Sequence, residues 1–148
     1  MAVLAGVRDT DHLAYGAGKA STQFVGWAAG DNDSGYATIL YTTNGGATWV
    51  RQGSTTDIAD VSLGCVAAVD DNTAWAGGST MQGYSTIYHT TNGGATWSRQ
   101  GDPDTVGNVE LVEISACNRD VVWIGGGKGV VLRTIDGGQT WQNRSTAG

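Results

Sequence analysis

The sequence predicts an all-β protein made of three copies of one structural unit. An octapeptide of the form Thr-x-Asn/Asp-Gly-Gly-x-Thr-Trp occurs three times, at residues 42–49, 90–97 and 134–141. A second tryptophan series keeps a spacing of 48 residues, and no helical hydrophobic period competes with the strand pattern. The second series consists of Trp27, Trp75 and Trp123.

Each unit is predicted to contain four short strands. The first is apolar, as at residues 61–69, and the second carries the tryptophan of the second series. The third strand ends at an Asn-Gly or Asp-Gly pair, which is a strong hairpin signal. The fourth begins near the tryptophan that closes the octapeptide. The predicted third strands are 38–42, 86–90 and 130–134.

Adjacent positions of the third strand are both apolar, as at Ile39 and Leu40. Side chains alternate across a strand, so both faces of each sheet must be covered. Sheets stacked as propeller blades meet this requirement, and the repeat period agrees with such a fold. We therefore expect one domain, residues 1–148, of three four-stranded antiparallel propeller blades. The repeats span about 1–52, 53–100 and 101–148.

The net charge of the chain limits the classes of partner that are expected. The formal net charge of −6 disfavours a nucleic-acid phosphate backbone or an anionic membrane as the main partner. No secretory signal or membrane span is visible, because the apolar run near the first residue is short and has no basic leader. The compartment is therefore not predicted. Cys65 and Cys117 occupy different positions in the repeat and are expected to be two buried free thiols.

The octapeptide resembles the Asp-box, or BNR repeat, of sialidases and of many non-enzymatic β-propellers. The wider unit is similar to the repeats of photosystem-assembly-factor propellers, and the resemblance extends over about residues 13–143. It implies a β-propeller in which the box is a fold element, remote from catalysis. The residues expected to have this structural role are Thr42, Asn44, Gly46, Thr48, Trp49, Thr90, Asn92, Gly94, Thr96, Trp97, Thr134, Asp136, Gly138, Thr140 and Trp141.

The chemistry of the box agrees with a structural role. Its Asn or Asp side chain can accept hydrogen bonds from backbone N–H groups of the turn. Its glycines permit positive φ. Its tryptophan buries a large ring, and we expect the indole N–H to need a hydrogen-bond partner.

A hydrolase of the sialidase class is the least expected function. Those enzymes use three arginines, a tyrosine nucleophile and a catalytic aspartate, and no arginine motif near the first residues matches. Arg51 and Arg99 are repeat equivalents, which indicates a feature of the blade. We predict no catalytic residue, no nucleophile–base pair and no cofactor.

Three blades are fewer than the four to eight that typically close a propeller. We expect oligomerisation to complete the ring, with two copies giving six blades and three copies giving nine, or a polymer forming instead. The apolar segment from Ala2 to Val7 is a candidate to cover a junction between protomers. The alternative fold is a β-trefoil, which also has three four-stranded repeats and closes as a monomer.

Loops that differ between repeats are the candidates for contacts with a ligand or partner. Asp31 and Asp33 also form an incomplete calcium motif, because calcium favours oxygen ligands, although no metal is the primary prediction. Lys128 lies in a glycine-rich segment that we interpret as a tight β-turn, since no Ser or Thr follows it as in a phosphate loop. The candidate rim consists of Asp31, Asp33, Tyr36, Met81, Tyr84 and Lys128.

The leading functional hypothesis is a non-enzymatic module that associates with itself and works as a structural or interaction scaffold. Such a scaffold could be the subunit of a larger tube, appendage or particle. The alternative is a multivalent glycan-binding lectin that uses the loops with Tyr36 and Tyr84. The expected partner of the protein is a second copy of the chain, and a glycan or another protein is a further candidate. No membrane insertion is expected.

Overall fold

The computed structural model describes residues 3–5 and 25–146 of the chain. These residues form three antiparallel sheets of four strands each, and each sheet takes its strands in chain order. Blade 1 contains β1 (Val3–Ala5), β2 (Gly26–Asp33), β3 (Tyr36–Thr42) and β4 (Val50–Arg51). Blade 2 contains β5 (Leu63–Ala68), β6 (Ala74–Met81), β7 (Tyr84–Thr90) and β8 (Ser98–Gln100). Blade 3 contains β9 (Leu111–Ala116), β10 (Val122–Gly126), β11 (Val131–Thr134) and β12 (Gln142–Asn143).

The predicted propeller blades are confirmed, and the β-trefoil alternative is wrong. Strands pair only within their own blade, whereas a trefoil would pair strands of different repeats in one barrel. Blade 2 packs on both sides, as the paired apolar positions of its third strand predict. Tyr88 contributes to an apolar cluster shared with blade 1, and Ile87 to a second cluster shared with blade 3.

The hairpins between the second and third strands share one turn geometry. Ser34, Gln82 and Lys128 are the non-glycine residues with positive φ in the described chain, and a positive-φ glycine follows each of them. Two successive residues with positive φ form the type I′ turn that suits the twist of a hairpin. The interpretation of Lys128 as part of a tight turn is confirmed. In blade 3 this hairpin is shorter, because β10 and β11 have five and four residues.

Val3–Ala5 pairs with β2 as the first strand of blade 1, while residues 2, 6 and 7 of the same apolar segment lie outside the described residues. Two details differ from the expectations. Cys65 is buried and free, but Cys117 is free and exposed, so the prediction of two buried thiols is wrong for Cys117. A single helical turn, α1 (Pro103–Val106), links blades 2 and 3 and is capped by the Asp102 carboxylate. Among the described residues, no helix has the length and apolar character needed to span a membrane.

Candidate interaction faces

Neighbouring blades pack on each other at two internal junctions, one between blades 1 and 2 and one between blades 2 and 3. We call the side of a blade that is turned toward the following blade its front face, and the opposite side its back face. At the first junction the front-face residues Trp27 and Ile39 share a cluster with the back-face residues Tyr88 and Trp97. At the second junction the repeat equivalents meet in the same way. These equivalents are Trp75 and Ile87 on the front face and Leu132 and Trp141 on the back face.

A glutamine joins neighbouring blades at each internal junction. The side-chain oxygen of Gln52 accepts a hydrogen bond from Nε1 of Trp27 at 3.2 Å. Its side-chain nitrogen donates to the carbonyl of Gly93, in the box of blade 2, at 2.5 Å. Gln100 repeats both bonds, to Trp75 at 3.2 Å and to the carbonyl of Gly137 in the box of blade 3 at 2.9 Å. We call this residue the junction glutamine.

The second glycine of the box leaves room for the junction glutamine. A Cβ built on Gly94 would lie 1.6 Å from Oε1 of Gln52, and one built on Gly138 would lie 1.8 Å from Oε1 of Gln100. Gly46 has the same positive φ, but the side chain nearest to it among the described residues is its own Trp49. The box of blade 1 therefore has the same backbone geometry as the two boxes that contact a junction glutamine of the preceding blade.

The front face of blade 3 is exposed where its counterparts are buried. Trp27 and Trp75 have no exposed area, whereas Trp123 is 38% exposed. Ile39 and Ile87 are also fully buried, whereas their equivalent Val131 is 37% exposed. The difference comes from the neighbour, because the first two blades have a following blade and blade 3 has none among the described residues.

The back face of blade 1 shows the same contrast. Trp97 and Trp141 are 3% exposed beneath the preceding blade, while Trp49 is only partly buried. Leu40 is likewise partly buried, although its counterparts on the back faces of blades 2 and 3 are covered. Each end of the three-blade unit thus presents apolar side chains that the internal junctions bury.

The turns of the three octapeptides have the predicted hydrogen bonds. The Asn44 side-chain oxygen accepts from the Thr48 N–H at 2.9 Å, and Asn92 and Asp136 make the same bond to Thr96 and Thr140. In each box the first threonine accepts from the N–H of the second glycine, at 3.0, 3.0 and 2.8 Å. Both glycines of each box have positive φ, as expected.

One expectation for the box is wrong. The indole nitrogens of Trp97 and Trp141 are buried without a hydrogen-bond partner among the described residues. The indoles that have a partner belong to the other series, Trp27 and Trp75. The box tryptophans therefore contribute apolar packing between blades rather than a polar anchor.

Both candidate rim tyrosines are held by arginines of their own blade. The Arg51 guanidinium carbon lies 3.8 Å from the ring centroid of Tyr36, and that of Arg99 lies 3.7 Å from the ring centroid of Tyr84. The same guanidinium groups donate to the backbone carbonyls of Tyr36 and Tyr84 at 3.0 and 3.3 Å. We call each arginine with its tyrosine an arginine clamp, which holds a long hairpin and covers one face of the tyrosine ring. Blade 3, whose hairpin is short, has Asn143 in place of the arginine.

The other rim candidates do not come together as a site. The Asp33 carboxylate pairs with Arg51 at 3.0 Å, and Arg99 donates to the Met81 carbonyl at 2.8 Å. Asp31 and Lys128 lie in the exposed hairpins of different blades. The described residues contain no group of three or more His, Cys, Asp or Glu side chains that could hold a metal ion. Of the two histidines in the sequence, His12 lies outside the described residues.

Sequence reasoning missed the junction glutamines and the arginine clamps, although both leave a signal. Gln52 and Gln100 each follow the second-series tryptophan of their own repeat by 25 residues. Arg51 and Arg99 follow Tyr36 and Tyr84 by 15 residues, and repeat 3 lacks both members of that pair. Pairs that recur at one spacing and disappear together indicate contact, whereas the same residues considered singly do not.

His89 is a titratable side chain within the second junction. Its ring stacks on Trp75 with centroids 4.4 Å apart, and its Nδ1 lies 3.0 Å from the Gln100 side-chain nitrogen. Gln100 already uses its oxygen for Trp75, so its nitrogen donates and Nδ1 must be an unprotonated acceptor. Burial lowers the pKa of His89 below its ordinary value. The folded protein therefore favours the neutral ring.

We expect acid to destabilise the protein through His89. Because its pKa is lower in the folded state, the unfolded chain binds the proton first, and stability falls as the pH drops below about 6.5 toward the folded pKa. Thermal unfolding measured from pH 8 to pH 5 tests this, with His89→Tyr as the matched variant because Tyr41 occupies the equivalent position in blade 1. The variant should lose less stability over that range, and parallel pH profiles would contradict the role of His89.

Two solved structures resemble the chain. The structure described as "YCF48 bound to D1 peptide" shares 24% identity and a TM-score of 0.65, over 97% of this chain and 43% of that chain. YCF48 from Cyanidioschyzon merolae shares 20% identity and a TM-score of 0.66, over 99% of this chain and 41% of that chain. No family model and no curated protein matches. This chain thus spans about two fifths of the length of these neighbours. The three sheets and these neighbours together show that the chain folds as three consecutive β-propeller blades.

Proposed function

We propose that the protein is a non-enzymatic interaction module that uses its two outer blade faces to associate with copies of itself, as a structural scaffold. The observation that carries the proposal is the exposure of Trp123, since both of its repeat equivalents are fully buried by a following blade. Removing apolar surface from water is favourable by about 25 cal/mol per Å², before the entropic cost of association is subtracted. An exposed face built like a buried one therefore has both the shape and the chemistry of an interface.

A comparison with a solved structure also supports an interaction role. One solved neighbour of the same fold is described as bound to a peptide, which is consistent with propeller blades as protein-binding surfaces. A tube, appendage or particle would follow if the copies joined as an open chain instead of a closed ring.

The lectin alternative has weaker support. Aromatic rings bind sugars through their open faces, and Arg51 and Arg99 cover one face of Tyr36 and of Tyr84. The remaining ring faces could still contact a glycan. Binding to a glycan array that is lost in Tyr36→Ala, with unchanged native mass, would favour the lectin over the scaffold.

A charge placed on the front face of blade 3 tests the proposal. Trp123→Glu should lower the native mass measured by light scattering, because it removes the apolar ring from the interface and places there a carboxylate that is costly to bury. Lys128→Gln is the matched control, since it changes the net charge by the same amount but lies in an exposed hairpin turn. The control should keep the native mass of the unaltered protein. Equal masses for all three proteins would contradict the proposal.

A further inference from the structure

We propose that the copies associate head to tail, with the front face of blade 3 packed on the back face of blade 1 of the next copy and Arg144 in the place of the junction glutamine. This inference rests on the proposed self-association and specifies its orientation and its polar contact. It follows from the internal junctions, which show which blade surfaces fit each other. The front face of blade 3 consists of the repeat equivalents of the residues that blades 1 and 2 present to a following blade.

The apolar parts of the two outer faces correspond to buried partners. At the second junction Trp75 and Ile87 share a cluster with Leu132 and Trp141. The outer front face presents Trp123 and Val131, and the outer back face presents Leu40 and Trp49, at the same repeat positions. A front face therefore matches a back face. Two front faces, or two back faces, have no counterpart among the junctions of the described chain.

Arg144 occupies the junction-glutamine position by its backbone contacts as well as by sequence. The Gln52 N–H donates to the Ile39 carbonyl at 2.8 Å, and the Arg144 N–H donates to the Val131 carbonyl at 2.7 Å. Ile39 and Val131 are themselves repeat equivalents. The acceptor of the junction glutamine is the first-glycine carbonyl of the next box, which in blade 1 is that of Gly45. A guanidinium group can donate to that carbonyl as the glutamine amide does.

Gly46 supports this placement from the other side of the junction. It has φ of +85°, like Gly94 and Gly138 at +82° and +87°, and those two glycines leave room for the side chain of a junction glutamine. The three atoms nearest to a Cβ built on Gly46 all belong to Trp49, whereas the nearest atoms at Gly94 and Gly138 belong to a junction glutamine of the preceding blade. The same local geometry is thus present in blade 1, where a second copy would supply the donor.

The junction between copies also differs from the internal ones in charge. Arg133 replaces Tyr41 and His89 beside the second-series tryptophan, and its guanidinium carbon lies 5.3 Å from the ring centroid of Trp123. Arg144 and Glu113 lie on the same face, where blade 2 has Gln100 and Cys65, so the outer front face carries charged side chains of both signs. This difference distinguishes the junction between copies from the two within a chain.

Mixing two variants tests the orientation. Trp49→Glu damages only the back face of blade 1, and Trp123→Glu damages only the front face of blade 3, so each variant alone should be monomeric. An equimolar mixture should contain two-chain particles and nothing larger, because one intact front face meets one intact back face.

If Trp49→Glu alone still forms dimers, the front faces pair with each other and the head-to-tail orientation is wrong, although self-association stands. Monomers that persist in the mixture also overturn the orientation. If neither variant changes the native mass, the proposed self-association itself fails.

The role of Arg144 is measured in the same mixture. Arg144→Ala introduced into the Trp49→Glu chain should weaken its binding to the Trp123→Glu chain by about tenfold, the loss expected for one charge-assisted hydrogen bond. Arg144→Gln should recover most of this affinity, because glutamine makes the equivalent bond at both internal junctions. Circular dichroism of each variant checks that it is folded. Unchanged affinity in Arg144→Ala would overturn the assigned contact while leaving the orientation intact.

Discussion

Replacing Trp75 by alanine is expected to destabilise the protein by about 3–5 kcal/mol, the usual cost of deleting a large buried aromatic side chain. Trp75 has no exposed area and packs in the cluster between blades 2 and 3. Its loss also leaves the Gln100 oxygen without the indole donor and His89 without its stacking partner. Denaturant unfolding of the two proteins measures the difference in the free energy of unfolding.

Trp123→Ala is the matched control for Trp75→Ala. The residue type and the repeat position are the same, but Trp123 is 38% exposed, so we expect a cost of about 1 kcal/mol in the monomer. Both substitutions are best compared in the Trp49→Glu background, in which association does not contribute to the measured stability. Equal costs at the two positions would show that the neighbouring blade does not determine the burial of this tryptophan.

Thr90→Val is the second substitution with a large expected effect, about 1–3 kcal/mol, because it removes a buried hydroxyl while keeping the shape of the side chain. The Thr90 Oγ1 accepts from the Gly94 N–H at 3.0 Å and donates to the Asn92 side-chain oxygen at 2.9 Å. Valine would leave the buried Gly94 N–H without its acceptor. Thermal and denaturant unfolding measure the cost.

The adjacent Thr91 supplies the control for Thr90. It is exposed, so Thr91→Val should change the free energy of unfolding by no more than about 0.5 kcal/mol. A cost for Thr90→Val as small as that of the control would mean that the threonine hydroxyl does not hold the box turn together. The box would then depend on its glycines and asparagine alone.

Local patterns in the sequence predicted most of the fold. The Asn-Gly pair after Thr90 indicates a hairpin, and the side-chain oxygen of Asn92 accepts the expected backbone bond. The predicted third strand at 86–90 lies within β7. These features depend on residues a few positions apart, so spacing and turn chemistry are sufficient to find them.

Contacts between blades were harder to predict because they join residues from different repeats. The bond from Gln52 to the Gly93 carbonyl spans 41 residues and depends on how two sheets pack. The exposure of Cys117 depends on tertiary packing in the same way. Tyr36 looked like a free rim residue because nothing in its own loop shows that Arg51 lies on its ring.

The native mass of the unaltered protein tests the central claim most directly. Multi-angle light scattering over a hundredfold range of concentration should give a particle of two chains, three chains or a longer polymer, in which the front face of blade 3 is covered. Acrylamide quenching on the same samples should find Trp123 shielded. A one-chain mass at every concentration, with Trp123 accessible to the quencher, would contradict the account.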